Sequence, residues 1–398
     1  MEKRHVPALR FKGFTDDWEQ RKVGELLIER NQPTVKCSEY PLMAFIANKG
    51  IAPKGIRYDR SALVLDAENK VYKKTEFNDF IYSSNNLESG SIGLNKYGKA
   101  CISPVYSIFQ TSELADADFI GKRLVRPDFK QKMIKWRQGV IYGQWKIHES
   151  DFGKIDVLTP NLEEQRKIGK ILNNIDKFIT LHQRKHKKLL ALKKALLEKM
   201  FPKNEEKIPE VRFFGFTGDW EQCKLGDIFV EYAEKNHPEL PALTIIQGQG
   251  TVRRDESNRM LQYDRKSLSN YKMVNIDDFI VHLRSFEGGL ERASLQGIIS
   301  PAYHTFHGEN INFQFYYSYF RSLNFIDKDL KQHVYGIRDG RSIDIDGMKT
   351  IKIPYTSLCE QTKVGNFIIE INRLITLHQR KLEKLQNIKK AMLEKMFA

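Results

Sequence analysis

The chain has 398 residues, of which 41% are hydrophobic and 29% charged, with a formal net charge of +15 and a pI near 9.4. That is enough apolar material for roughly two to four folded units and excludes a disordered polypeptide. The basic balance points to an acidic partner, of which nucleic acid is the commonest. No stretch approaches 18 uninterrupted apolar residues and the opening MEKRHVPALRFKGF lacks a signal-peptide core, so neither membrane spanning nor export is expected and the expected location is cytoplasmic.

In chain order, the first distinctive element is 8–26, ALRFKGFTDDWEQRKVGEL, which returns as EVRFFGFTGDWEQCKLGDI at 210–228, roughly 200 positions later. The chain is a tandem duplication. Between the repeated blocks, Ala62 to Asp66, Asp79 to Tyr82, Lys154 to Leu158, Asp278 to Val281 and Thr350 to Ile353 are short and rich in β-branched or aromatic residues, bounded by turn formers; they read as strands. Phe129 to Trp136 and Phe313 to Phe325 read as amphipathic helices. Residual likeness survives, with Asn78-Asp79-Phe80-Ile81 resembling Asp277-Asp278-Phe279-Ile280 and Ile102-Ser103-Pro104 resembling Ile299-Ser300-Pro301. Both regions therefore share one α+β fold.

The second repeated block, 162–201, recurs at 358–397 with more than half of its positions identical. Its stripe runs Ile168, Ile175, His182, Leu189 and Leu196, and the second copy runs Val364, Ile371, His378, Leu385 and Met392; this seven-residue spacing predicts long helices that pair through these residues. Pro160 and Asn161 mark the first helix's start and Pro202 its end. His182 and His378 take matching positions where Leu or Ile is usual. In an antiparallel pair such equivalent residues meet at a pseudo-twofold axis, where polar groups fix register. These two blocks carry about +11 of the net charge, so part of the basic excess is a solvated helix surface and the variable regions are mildly basic.

The sequence carries no complete catalytic motif. Gly93 to Ala100, GLNKYGKA, has phosphate-loop spacing, but Ala100 stands where a hydroxyl must reach magnesium and Ser103-Pro104 cannot continue as the required helix; a hairpin turn is expected instead. No Pro-Pro pair exists for a base-gripping methyltransferase pocket, and Pro127-Asp128 has no counterpart in the second copy to suggest a nuclease. Cys37, Cys101, Cys223 and Cys359 have no CxxC spacing and do not match one another across the duplication, so reduced thiols and no metal site are expected.

What differs between the copies is their loops, and these hold the candidates for reading a sequence. In the first copy they are Lys54, Arg57, Tyr58, Ser83, Ser84, Asn85, Asn86, Lys96, Arg137, Tyr142 and Gln144. The second offers Arg253, Arg254, Arg259, His282, Arg284, Ser285, Arg338 and Arg341. Arginine can fork onto guanine, Asn and Gln onto adenine, while Ser, Lys and backbone amides hold phosphates.

The paired RFxGFTxDWEQ segments, the paired EQxK helices ending in LEKMF, and the order insert, helix, insert, helix resemble specificity subunits of bacterial type I restriction-modification enzymes over essentially the whole chain. The resemblance implies a first target-recognition domain at 1–160, a spacer helix at 161–201, a linker at 202–209, a second target-recognition domain at 210–356 and a second spacer helix at 357–398. It implies that the two helices form an antiparallel coiled coil with pseudo-twofold symmetry, and that each domain reads half of a bipartite, asymmetric site in double-stranded DNA. Two modification subunits would bring S-adenosylmethionine and adenine methylation, and restriction subunits would bring ATP and Mg2+; the chain itself would be non-catalytic and carry no cofactor. The alternative is a coiled-coil scaffold that binds partner proteins without reading DNA, and after it a retained nuclease or methyltransferase.

Overall fold

The computed structural model describes residues 6–47, 49–53, 70–140, 144–203, 206–256, 265–282, 289–336 and 342–397. The predicted strand Ala62 to Asp66 lies outside them. The chain divides into two compact units, Met1–His182 with Lys381–Ala398, and Gln183–Arg380. Each is α+β, and their four-stranded sheets share one strand order.

In the first unit a four-stranded antiparallel sheet has the order Leu27–Glu29, Ser107–Thr111, Phe80–Tyr82, Ile92–Leu94. In the second it is Phe229–Tyr232, Tyr303–Gly308, Phe279–His282, Glu291–Arg292. The inner strands explain why both faces are covered. Alternation along a strand sends Phe80 and Tyr82 into one apolar cluster and Ile81 into another, and likewise separates Phe279 and Val281 from Ile280. Before each inner strand the chain turns through a positive φ, at Asn78 (72°) and Asp277 (76°). The next residue, a buried aspartate, accepts the amide of Glu76 or Asn275 at 2.7 Å. The remaining partners differ. Asp79 pairs with Arg30 at 2.8 Å, whereas Asp278 meets His307 at 2.7 Å and the Tyr232 hydroxyl.

The long helices are Leu162–Lys199 and Leu358–Lys395, 38 residues each. The first starts where Asn161 accepts the Glu164 amide at 3.0 Å, the second where Ser357 accepts that of Glu360 at 3.3 Å. Their shared Glu-Gln pair joins helix to domain. Glu164 takes a two-pronged bond from Arg10, and Glu360 one from Arg212, with all four distances at 2.7–2.8 Å. Gln165 accepts the Asp116 amide and donates to the carbonyls of Leu114 and Pro160; Gln361 accepts from Asn312 and donates to Thr356. The repeated arginine before each GFT segment and the repeated EQ are thus two sides of one joint.

Within the first unit the two helix segments run antiparallel. Ile168 and Leu172 share a core with Met396 and Phe397, Asp176 bonds Lys389 at 2.6 Å, and Ile179 and Gln386 line one groove further along. In the second unit Leu196, Leu197, Met200 and Phe201 pack with Val364 and Ile368, so the end of one helix lies beside the start of the other. Of the stripe, Ile168, Ile175, Val364 and Ile371 are buried, while His182, Leu189, Leu196, His378, Leu385 and Met392 are half-buried.

The LEKMF endings close the cores. Phe397 meets Trp18 edge-on at 6.3 Å in the first unit, and Phe201 meets Trp220 in the same way at 6.3 Å in the second. Each repeat therefore supplies the last core residues of the unit built around the other repeat's tryptophan.

Two expectations need correction. Ile92–Leu94 pairs with Phe80–Tyr82 and Ala100–Ile102 with Tyr72–Thr75, so the GLNKYGKA turn passes between two sheets and is not a hairpin. Buried Asn95 shapes it, accepting the amides of Tyr97 and Gly98 and donating to the Gly98 carbonyl and Thr75 hydroxyl, with Gly98 at φ +127°. The predicted helix Phe313 to Phe325 stops at Phe320, where Arg321 leaves the helical region to reach Glu291.

Candidate nucleic-acid interface

In the first unit two candidate loops come together. The ribbon Gln138–Val140 with Gln144–Lys146 lies against the turn Ser84–Asn86, because Asn85 accepts the Trp145 amide at 2.5 Å and Ser84 that of Ile147 at 3.0 Å. Arg137 crosses between them and forks onto Glu88 at 2.6 and 2.7 Å, holding that carboxyl below the ordinary range. Ser83 and Ser84 are buried, which corrects their expected surface position: they anchor the turn and leave Asn85 and Asn86 exposed. Gln144 lies in the second strand of the ribbon.

Lys96 stands apart, exposed, bonded to Asn78 at 2.6 Å and to Asp118, over the ring of Phe77. Sequence reasoning missed two exposed tryptophans, Trp145 on the ribbon and Trp136 leading into it. Nothing in a local pattern separates an exposed Trp from a core one, since only the tertiary fold decides its cover.

In the second unit the ribbon Leu243–Ile246 with Gly250–Arg253 carries an exposed tip at Gln247, Gly248 and Gln249. Arg253 is exposed at its end. Arg254 is half-buried, donates to the Leu243 carbonyl at 3.1 Å and the Tyr271 hydroxyl at 3.3 Å, and stacks over that ring; its first task is to hold the ribbon. His282 ends an inner strand beside Tyr303, with ring centroids 4.8 Å apart. Lys54, Arg57, Tyr58, Tyr142, Arg259, Arg284, Ser285, Arg338 and Arg341 lie outside the described residues.

Among the described residues no group of three or more His, Cys, Asp or Glu is arranged to hold a metal ion, and no helix is long and apolar enough to cross a membrane. All four cysteines are free thiols, Cys101 buried and Cys37 and Cys359 exposed.

Two α+β units with the same order in their four-stranded sheets, carrying unlike loops and joined to long helices, define a modular two-unit protein. Residues 15–191 match the family model described as Type I restriction modification DNA specificity domain. The chain is 24% identical over 407 residues to the Type I restriction enzyme MjaVIII specificity subunit of Methanocaldococcus jannaschii, with 95% of this chain and 91% of that protein covered. It is 26% identical over 287 residues to the Putative type I restriction enzyme MjaX specificity subunit of the same organism, covering 67% and 64%. The fold aligns with the crystal structure of the Type-I restriction-modification system S subunit from M. genitalium at a TM-score of 0.54 and 14% identity, over 99% of both chains. By these matches the chain is similar to type I restriction-modification specificity subunits.

Proposed function

We propose that this chain is the non-catalytic component that chooses the DNA sequence on which a type I restriction-modification complex acts. Each unit reads one half of a bipartite, asymmetric site in duplex DNA. Two modification subunits supply S-adenosylmethionine and methylate adenine there; restriction subunits supply ATP- and Mg2+-dependent translocation and cleavage. The observation that carries this reading is the repetition of one four-stranded sheet order with different loop residues: Asn85, Asn86 and a Trp145 ribbon in the first unit, and Gln247, Gln249 and Arg253 in the second. A frame kept twice with unlike surfaces suits two unlike half-sites.

The test is duplex binding by the full chain with its modification subunits, together with a map of methylated adenines in cells that carry it. We expect one interrupted, asymmetric methylated sequence and a steep fall of affinity with salt, as basic side chains displace counterions from phosphates. A flat salt dependence with no preferred sequence would leave the protein-binding scaffold as the better account.

A further inference from the structure

Glu291 sits on the edge strand of the second unit's four-stranded sheet, with only 2% of its surface exposed. A buried carboxylate must find donors, and these donors lead to the ribbon tip. One oxygen accepts from the Tyr317 hydroxyl at 2.6 Å; the other accepts from Arg321 at 3.0 Å and from the Gly248 amide at 2.6 Å. Gly248 is the centre of the exposed Gln247-Gly248-Gln249 tip and has φ +80°, which glycine adopts without strain. Just beyond the tip, Thr251 and Ser294 bind each other reciprocally. The Ser294 hydroxyl donates to the Thr251 carbonyl at 2.7 Å, and the Thr251 hydroxyl accepts the amides of Ser294 at 3.0 Å and Leu295 at 2.9 Å. The tip is thus tied at its centre to a buried carboxylate and, just beyond it, at buried Thr251 to the neighbouring Ser294 and Leu295. The first unit has no such carboxylate, for the residue facing its equivalent inner-strand isoleucine is Gly93.

A glutamine amide offers a donor and an acceptor that match the N6 and N7 edge of adenine in the major groove. Holding the backbone beneath it lowers the ordering cost of that contact. We propose that Gln247 and Gln249 form a specificity-determining tip that reads adenine in the second unit's half-site, and that Glu291 is the positioning residue that presents it. The inference rests on the DNA-reading function proposed above.

The experiment maps methylated sites produced by the full chain in its assembled complex, for wild type, Gln247→Ala, Gln249→Ala, Glu291→Ala and Glu291→Gln. At least one glutamine variant should relax a single A·T position of one half-site, with discrimination falling roughly 10- to 100-fold, while the other half-site is unchanged. Glu291→Ala should relax the same position although its side chain cannot touch DNA, and Glu291→Gln should retain more of the preference. The salt slope of binding should not move in the glutamine variants, since no phosphate contact is lost. An unaltered pattern in both glutamine variants overturns the tip as a reader, and these surface changes remain informative even if Glu291→Ala fails to fold. A folded Glu291→Ala that weakens all duplexes alike, or alters the other half-site, overturns the positioning role. If the wild-type complex marks no bipartite site, the DNA-reading function itself falls.

Discussion

Gly169 and Gly365 show how one atom constrains a helix. Glycine costs about 1 kcal/mol relative to alanine inside a helix, yet both long helices keep one at this position. A Cβ on Gly169 would lie 2.7 Å from Asp116 Oδ1 and 3.0 Å from the Phe119 amide; on Gly365 it would lie 2.3 Å from Asn312 Oδ1. Asp116 and Asn312 cap the short helices that pack there, each accepting an amide at 2.9 Å, so they cannot withdraw freely. Gly365→Ala should therefore lower stability by about 1–3 kcal/mol through overpacking, despite its better propensity, as read by thermal melting. Glu360 poses a different problem at the same joint. Its side chain is 2% exposed and satisfies Arg212, Trp220 and Thr356, so Glu360→Ala should cost about 1–3 kcal/mol by leaving the buried Trp220 indole N–H without its acceptor and the half-buried Arg212 unpaired.

Asp176 makes stability depend on pH. Burial pushes its carboxyl up, but hydrogen bonds from Lys122 and Lys389 outweigh this and hold it below the ordinary range. A depressed carboxylate contributes stability above its unfolded pKa and loses it as pH falls through the folded one. Melting curves of wild type and Asp176→Asn should differ at neutral pH, and the difference should vanish in acid below the ordinary carboxylate range. A gap that persisted there would remove the ion pair as its cause.

At the scale of elements, the LEKMF endings matter because each completes a core away from its own repeat. In the first unit Phe397 packs on Trp18 and Phe119, and Met396 joins the same cluster. Phe397→Ala should cost about 3–5 kcal/mol and loosen the first unit before the second, which hydrogen exchange of the Phe80–Tyr82 strand would report. The first repeat ends in the same Met200-Phe201 pair. A fragment of residues 1 to 205 thus has an open Trp18 pocket and a matching plug, and two copies should exchange plugs. Sedimentation at micromolar concentration should find a dimer; a folded monomer would count against reciprocal closure.

At the level of the whole molecule the reading units should be exchangeable. Residues 27–159 lie wholly in the first unit and reach the helix start through the Gln165 joint. Replacing that span with a relative's equivalent, joint residues included, should change one half of the methylated sequence and leave the other. An exchange that altered both halves would show that the units do not read independently.

The sequence by itself determined the duplication, the two long helices and four of the strands, Phe80–Tyr82, Asp156–Thr159, Phe279–His282 and Lys352–Tyr355, because these follow from local period and from comparing the chain with itself. Asn161 and the seven-residue stripe announce a helix wherever it packs. Partner choice is different, since it depends on residues far apart in the chain. Only the tertiary structure decided that Phe397 fills the cavity beside Trp18, that Asn95 turns the chain between two sheets, and that Ser83 and Ser84 point inward. The same holds for Glu291. As a sequence letter it is one acidic residue in a surface-like run, HLRSFEGGLER, and its buried reach to Gly248 exists only because the edge strand places it beneath the ribbon tip.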